Sequence, residues 1–253
     1  MDSTFRSYYT GFLGVENADQ IIFPCKRRAE PFSLFFVQHL IATFLDSGPV
    51  ISVNPELLSI FTLPDSAYQR ESVDTDFLEM IDDKIIDSLN PRFYNIRMMS
   101  RMTVARSNFD ESKSDVDIRV LNEKDKAQFC KLISGRGQRF CDDIWEARLH
   151  AVQEGRYFAA FQNGEIVSTS FISDIDSGGA NLVVSTVPEY RKRGFGKAVV
   201  SCAVKWCFSN GYLPIYLVDI RNTPSVELAE SIGYREASRE VIVSGYHGIS
   251  PDN

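Results

Sequence analysis

The sequence has no Cys-x-x-Cys pair, only three histidines, and no apolar run that approaches a membrane span. Each absence removes a class of protein. Five cysteines (Cys25, Cys130, Cys141, Cys202 and Cys207) and the scattered His39, His150 and His247 form no ligand spacing, so no metal is expected. The thiols are expected to be reduced and mostly buried, as small apolar side chains. A spanning helix needs about 18 or more consecutive apolar residues, so no membrane partner is expected. The opening "MDSTFRSYYTGFLG" has neither a basic leader nor an apolar signal core, which makes the cytoplasm the expected location. A formal net charge of −7 lacks the basic surplus of a nucleic-acid binder, so no nucleic-acid partner is expected. The same charge is compatible with a cationic substrate, though many enzymes of neutral substrates are as acidic.

What remains is an ordinary globular composition, 44% hydrophobic and 24% charged, in a chain long enough for one large domain or two modest ones. Most of the negative surplus precedes Lys113, chiefly in "ESVDTDFLEMIDDKIIDSL", residues 71–89. There Val73, Phe77, Leu78, Ile81, Ile85 and Leu89 recur at helical spacing and Pro91 stops the pattern. An acidic helix with one apolar stripe ordinarily presents a solvated face. "FSLFFVQHLIATFL" is apolar on too many sides to assign by period, whereas "VISV" and "YNIRMMSRMTV" favour strands. The polar "RSNFDESKSDVD", residues 106–117, reads as a linker. The expected division is therefore a small N-terminal α+β domain at 1–113, of no legible role, and a second domain at 114–253.

Past the linker the pattern becomes regular. "VDIRVL" alternates like a strand, and "DKAQFCKLI" and "DIWEARLHAVQEG" read as helices, the second closed by Gly155. "RYFAAFQ" and "EIVSTSFI" flank Asn163-Gly164, a strong hairpin signal. "ANLVVSTV" is a further strand, followed by "EYRKRGFGKAV" and a helix from about Gly194 to Asn210. "PIYLVDI" is a strand, "SVELAESIGY" a short helix and "REVIVSGY" a last strand. The order is β-α-α-β-β-β-α-β-α-β.

The cationic, glycine-bearing turn from Arg191 to Gly196 carries the chemistry. A dinucleotide fingerprint requires a third glycine where Val199 stands, and its first glycine at the strand's end, where Pro188 to Arg193 intervene; Asp219 alone mimics its ribose contact. A nucleotide P-loop requires a longer gap between glycines and a hydroxyl after the lysine, which "GFGKA" lacks. A plain turn with a solvated basic face competes with a third arrangement. In that arrangement, successive backbone N–H groups at a helix N-terminus cradle an anionic pyrophosphate.

"RKRGFG" at 191–196, entering a helix after a strand, resembles the acyl-CoA signature of the GNAT superfamily of N-acyltransferases. "NTPSVELAESIGY" at 222–234 resembles that family's second signature. The resemblance covers roughly residues 114–246 and matches the order of elements. It implies a GNAT fold, an α+β arrangement of a mixed, mostly antiparallel sheet flanked by helices, preceded here by the added N-terminal domain. It also implies acetyl-CoA as co-substrate, held through Arg191, Lys192, Arg193, Gly194, Phe195, Gly196 and Lys197 chiefly by their main-chain amides. Side chains at Gly194 or Gly196 would then stand between amide and phosphate. Thr186 and Val187 match the end of a splayed strand whose peptide groups pair with the pantetheine arm. Asn222 matches a cofactor-ordering asparagine and Ser225 a small residue facing that arm.

The resemblance leaves the catalytic groups unassigned. Many members carry a tyrosine acid where this chain has Ala229, and some carry a glutamate base where it has Ala180. Asp174, Asp176, Asp219, Tyr212, Tyr216 and Tyr234 offer titratable groups without a distinguishing pattern. The expected activity is N-acetyl transfer to a primary amine of a small-molecule or peptide acceptor. The alternative is a domain that binds acyl-CoA for sensing or assembly.

Overall fold

The computed structural model describes residues 2–15, 20–32, 36–46, 48–60, 72–86, 94–112, 115–133, 135 and 137–246. In chain order the elements are α1 (Ser3–Leu13), β1 (Ile22–Pro24), β2 (Phe36–Leu45), β3 (Gly48–Val53), α2 (Thr75–Ile86), β4 (Tyr94–Thr103) and β5 (Asp117–Val120). There follow α3 (Lys126–Leu132), α4 (Gln138–Gln153), β6 (Tyr157–Gln162), β7 (Glu165–Asp176) and β8 (Gly179–Thr186). The chain ends with α5 (Phe195–Ser209), β9 (Leu213–Asp219), α6 (Thr223–Ser231) and β10 (Arg235–Tyr246). It forms two compact units, Met1–Arg101 with Val218–Asn222 and Glu236–Asn253, and Met102–Leu217 with Thr223–Arg235.

In the first unit the strand order is β1-β3-β2-β10-β4, with β2 antiparallel to both β3 and β10. Because β2 is paired on both edges and packed on both faces, its apolar residues show no period, which explains the ambiguity of "FSLFFVQHLIATFL". Its residues 33–35 lie outside the described residues, as do Leu89, Pro91 and His247. Phe77 and Ile81 of α2, with Val73 just before it, are buried against Leu40, Ile51 and Val241, as the first part of the expected stripe requires, and the side chain of Ile85 lies outside the described residues. The N-terminal α1 had no counterpart in the sequence reading. Asp2 caps it by accepting from the Thr4 and Phe5 N–H groups, and Gly14 closes it in the left-handed region. Phe5, Tyr9, Phe12 and Leu13 line its buried face at the spacing of one helical stripe.

That unit also buries a charged pair. The Arg101 guanidinium donates to both carboxylate oxygens of Glu240, at 3.1 and 2.8 Å, and Tyr9 donates its hydroxyl to the same carboxylate. Burial disfavours the arginine's charge, but Glu240 outweighs that and holds its pKa above the usual arginine value.

The second unit has the strand order β9-β8-β7-β6-β5, antiparallel throughout except for the parallel pair β8–β9. Asn163 and Gly164 both adopt positive φ, 54° and 79°, and turn β6 into β7 as their sequence requires. Neighbouring residues of β6 serve opposite layers. Ala159 packs with Phe129 and Trp145 of α3 and α4, whereas Ala160 packs with Phe195 and Val199 of α5.

Two expectations are corrected here. The stretch read as a linker is anchored along residues 106–112, and the expected boundary at 113/114 lies outside the described residues. Asp110 N–H donates to Ile232 O at 2.9 Å, and Ser112 N–H to Ser201 Oγ at 3.1 Å. Lys197 and Lys205 of α5 pair with Asp110 and Glu111 at 2.8 and 2.7 Å. Its polar composition thus reflects partners on α5 and beside α6. Secondly, Cys130 and Cys141 form a disulfide joining α3 to α4. The sequence gives no CxxC signal because the partners come from separate helices. Cys25, Cys202 and Cys207 are free, and burial pushes the Cys207 thiol up to about 12.

Candidate functional site

Strands β8 and β9 pair in register only from Gly179–Leu213 to Leu182–Tyr216. Beyond that point β8 continues to Thr186 while staying paired with β7, so Val183–Thr186 has no registered partner on the β9 side. Val183, the first residue past the parting, is 38% exposed. The strand leads through a short turn, Pro188–Tyr190, into the glycine loop and α5.

The loop reverses direction through two left-handed residues, Lys192 at φ 58° and Gly194 at φ 85°. A Cβ on Gly194 would meet nothing within 4 Å, so the glycine answers a backbone requirement. The first intrahelical bond of α5 runs from Ala198 N–H to Gly194 O at 3.0 Å. The amides of Phe195, Gly196 and Lys197 therefore precede the helical ladder at the positive end of a four-turn helix. Donors of this kind, beside open space and flanked by exposed cations, fit a phosphate-bearing ligand.

The side chains around this turn divide their tasks. Arg191 Nε donates to Thr186 O at 3.3 Å, and the Arg193 guanidinium lies over the rings of Tyr190 and Phe195, at 5.1 and 5.5 Å. Lys197 is engaged with Asp110, so its charge is partly spent within the unit. Gly196 departs from expectation. Its missing Cβ faces Thr186 Oγ1 at 3.3 Å and Leu228 Cδ2 at 3.4 Å, so this glycine admits the close approach of β8 and α6 to α5. Val187 N–H donates to Val167 O at 3.0 Å, extending the β7 ladder, and thus serves that neighbour instead of an open edge. Thr186 Oγ1 and Ser168 Oγ lie 2.8 Å apart.

Ser225, in the first turn of α6, shares a 2.8 Å hydrogen bond with the Tyr216 hydroxyl at the parting of the strands. Asn222 lies in the first unit, its N–H donating to Asp219 O at 2.8 Å, one residue before α6. Ala229 is fully buried, so no group of its own reaches an open site. Ala180, where a base would stand in some members, is buried too. Asp219 accepts from Arg221 at 3.1 and 2.9 Å, and that hydrogen bonding holds its carboxyl below the usual range. Tyr216 and Tyr234 are buried, which raises both phenols above their ordinary value, and Tyr212 stacks on Trp206.

One residue escaped the sequence reading. Arg148 of α4 donates from Nη1 to Tyr157 Oη at 2.9 Å and spreads its guanidinium over Phe171 at 4.7 Å. No spacing marks it, because the contact depends on how α4 is rotated against β6 and β7.

A mixed sheet whose parallel pair parts beside a glycine turn at a helix N-terminus is the arrangement of the GNAT fold. The family model of GNAT acetyltransferases matches residues 63–240, and the chain belongs to that family. It is similar to YdfB of Bacillus subtilis (strain 168), described as an uncharacterized N-acetyltransferase, with 24% identity over 103 residues. That match covers 41% of this chain and 40% of the relative, so the chain spans well under half of that protein's length. Among solved structures, an acetyltransferase of the GNAT family from Colwellia psychrerythraea superposes with a TM-score of 0.51 at 14% identity, covering 81% of each chain. A GCN5-related N-acetyltransferase from Sphaerobacter thermophilus gives 0.50 at 14% identity, over 66% of this chain and 58% of that one. These likenesses establish the fold.

Proposed function

We propose that this protein transfers an acetyl group from acetyl-CoA to a primary amine of a small-molecule or peptide acceptor by direct attack. The observation that carries this reading is the path from the unpartnered stretch of β8, through left-handed Lys192 and Gly194, to the free first-turn amides of α5. Bound there, acetyl-CoA would supply an activated acetyl group and a thiol leaving group. The amides of Phe195, Gly196 and Lys197 would donate to its pyrophosphate, and Arg191, Lys192 and Arg193 would add positive potential, weakened because they are solvent-exposed. Val183–Ser185 would offer peptide groups to the pantetheine arm, with Ser225 in the first turn of α6 beside it.

Holding the thioester in one geometry lets an amine attack without a dedicated nucleophile on the protein, and such positioning supplies much of the rate. As the C–N bond formed and the C–S bond broke, the proton given up by the amine would pass to the leaving sulfur through water or another element, because Ala229 is a buried methyl group and offers none. The membership of the chain in the GNAT family supports acyl transfer over the alternative of sensing or assembly.

Release of CoA thiol from acetyl-CoA, followed across amino acids, polyamines, aminoglycosides and peptides, tests the reading. Amine-dependent release is expected. Tight calorimetric binding of acetyl-CoA with no release for any amine would favour the sensing alternative.

A further inference from the structure

We propose that the acceptor carries a carboxylate besides its amine, and that Arg148 holds that carboxylate; this rests on the acetyl-transfer reading above. Arg148 is half-buried on α4. Its guanidinium lies over three rings, Phe171 at 4.7 Å, Phe129 at 5.4 Å and Tyr157 at 5.9 Å. Among the described residues its one hydrogen bond goes to a neutral group, the Tyr157 hydroxyl at 2.9 Å. Among the described residues no carboxylate lies within ion-pair distance of it. Lys126 of α3, by contrast, meets Asp142 of α4 at 2.7 Å. A guanidinium has five donors, and four of these remain.

The position is what gives this charge a use. Phe171 is the registered partner of Val183 across β7 and β8. Paired residues share a face, and Phe171 packs with the α3–α4 cluster that includes Phe129 and Tyr157. Val183 is the residue at which β8 has just lost its β9 partner, and it is one of few large apolar side chains left exposed among the described residues. Arg148 thus lies over Phe171, whose registered partner on the next strand is Val183, at the parting where the thioester would lie. An amine with an apolar stem and a carboxylate matches that sequence of surfaces. The rings crowd the guanidinium and leave it partly dehydrated, a state in which a bidentate carboxylate contact is strong and Lys is a poor replacement. The net charge of −7 would draw cations at long range, but contact with an uncompensated guanidinium decides which acceptor stays.

The test compares matched acceptors on the full chain by release of CoA thiol: amino acids against their amides, γ-aminobutyrate against butylamine, and peptides with free against amidated C-termini. Spermidine and an aminoglycoside serve as cationic arms. The carboxylate form of at least one pair is expected to give a kcat/KM about tenfold or more above its partner. Arg148→Gln is expected to raise the KM for that acceptor about tenfold or more, leave the KM for acetyl-CoA unchanged and erase the preference. Arg148→Lys should recover part of it. Which pair shows the effect separates a free amino acid from a peptide terminus. Amides or cationic amines turning over as well as the acids would overturn the proposal while leaving acetyl transfer intact, as would a preference that survives Arg148→Gln. No release above background with any of these amines would remove the transfer reading and this inference together. If Arg148→Gln fails to fold, the matched pairs on the unaltered chain decide alone.

Discussion

Gly194 and Gly196 stand two residues apart and differ in what their missing side chains permit. At Gly194 the φ of 85° is the constraint, and a Cβ would meet open space. Gly194→Ala should therefore cost about 1 kcal/mol in urea unfolding, with Gly194→Asn cheaper because asparagine tolerates this region. Gly196→Ala would instead press on Thr186 and Leu228, an overpacking cost of about 1–3 kcal/mol. It should also loosen acetyl-CoA binding by displacing α5 from β8. Calorimetry alongside the urea series checks both, and a neutral Gly196→Ala would deny the close approach. The motif was legible in the sequence; the division of labour within it was not, since Thr186 and Leu228 arrive from other elements. Ala229 was likewise legible as a missing acid, whereas its complete burial depends on how α6 packs.

Asp125 offers a test by pH. It accepts from Arg119 Nη1 and Nη2 at 2.7 Å each and from the Asn122 N–H at 2.9 Å, and the Arg119 contact leads in holding its carboxyl below the usual range. A carboxyl whose pKa is lower folded than unfolded stabilises the protein above the unfolded value, near about 3.9, and loses that contribution as pH falls through the folded value. Asp125→Asn should therefore lower the melting temperature at neutral pH, modestly because Arg119 is 42% exposed, and the difference should vanish in strong acid. A gap between the two proteins that persists at low pH would mean the loss is one of packing.

Among the elements, those with a clear period were readable and those buried on two sides were not. The β-α-α-β-β-β-α-β-α-β order from β5 to β10 follows from alternation, Asn163-Gly164 and the helix-closing glycines. β2 hides its class because both its faces are covered, whereas Asp2, Gly14 and the aromatic spacing of α1 all mark a helix. The segment 106–112 misled because polarity reads alike whether a side chain meets water or a lysine of α5. The disulfide between α3 and α4 was beyond reach of spacing. It closes a loop with a sequence separation of 11. Chain-entropy arguments put such a closure at about 2–3 kcal/mol. Cys141→Ser should lose about that much in urea under non-reducing conditions, and dithiothreitol should lower the unaltered protein to the same level. No difference between the oxidised and reduced protein would mean that the helices hold their packing unaided.

Taken whole, the chain enters the first unit three times, and its last strand belongs there. β10 pairs with β2 from Glu240–Thr43 to Tyr246–Phe36, and its Val241 and Val243 are fully buried beside Leu40 and Val53. A fragment beginning at Ser114 keeps β10 and removes β2, exposing that apolar edge. It should aggregate or lose strand signal in far-UV dichroism; a soluble, monomeric fragment with native melting would contradict this division.

The central claim is that the amides of the glycine turn hold the acetyl-CoA pyrophosphate, and those amides can be read directly. Hydrogen exchange followed by mass spectrometry, with and without acetyl-CoA, should show slowed exchange in peptides spanning Arg191–Lys197. S-acetyl-pantetheine, which lacks the pyrophosphate, should leave that segment unprotected. Saturating acetyl-CoA that protects other segments while Arg191–Lys197 exchanges unchanged would contradict the claim.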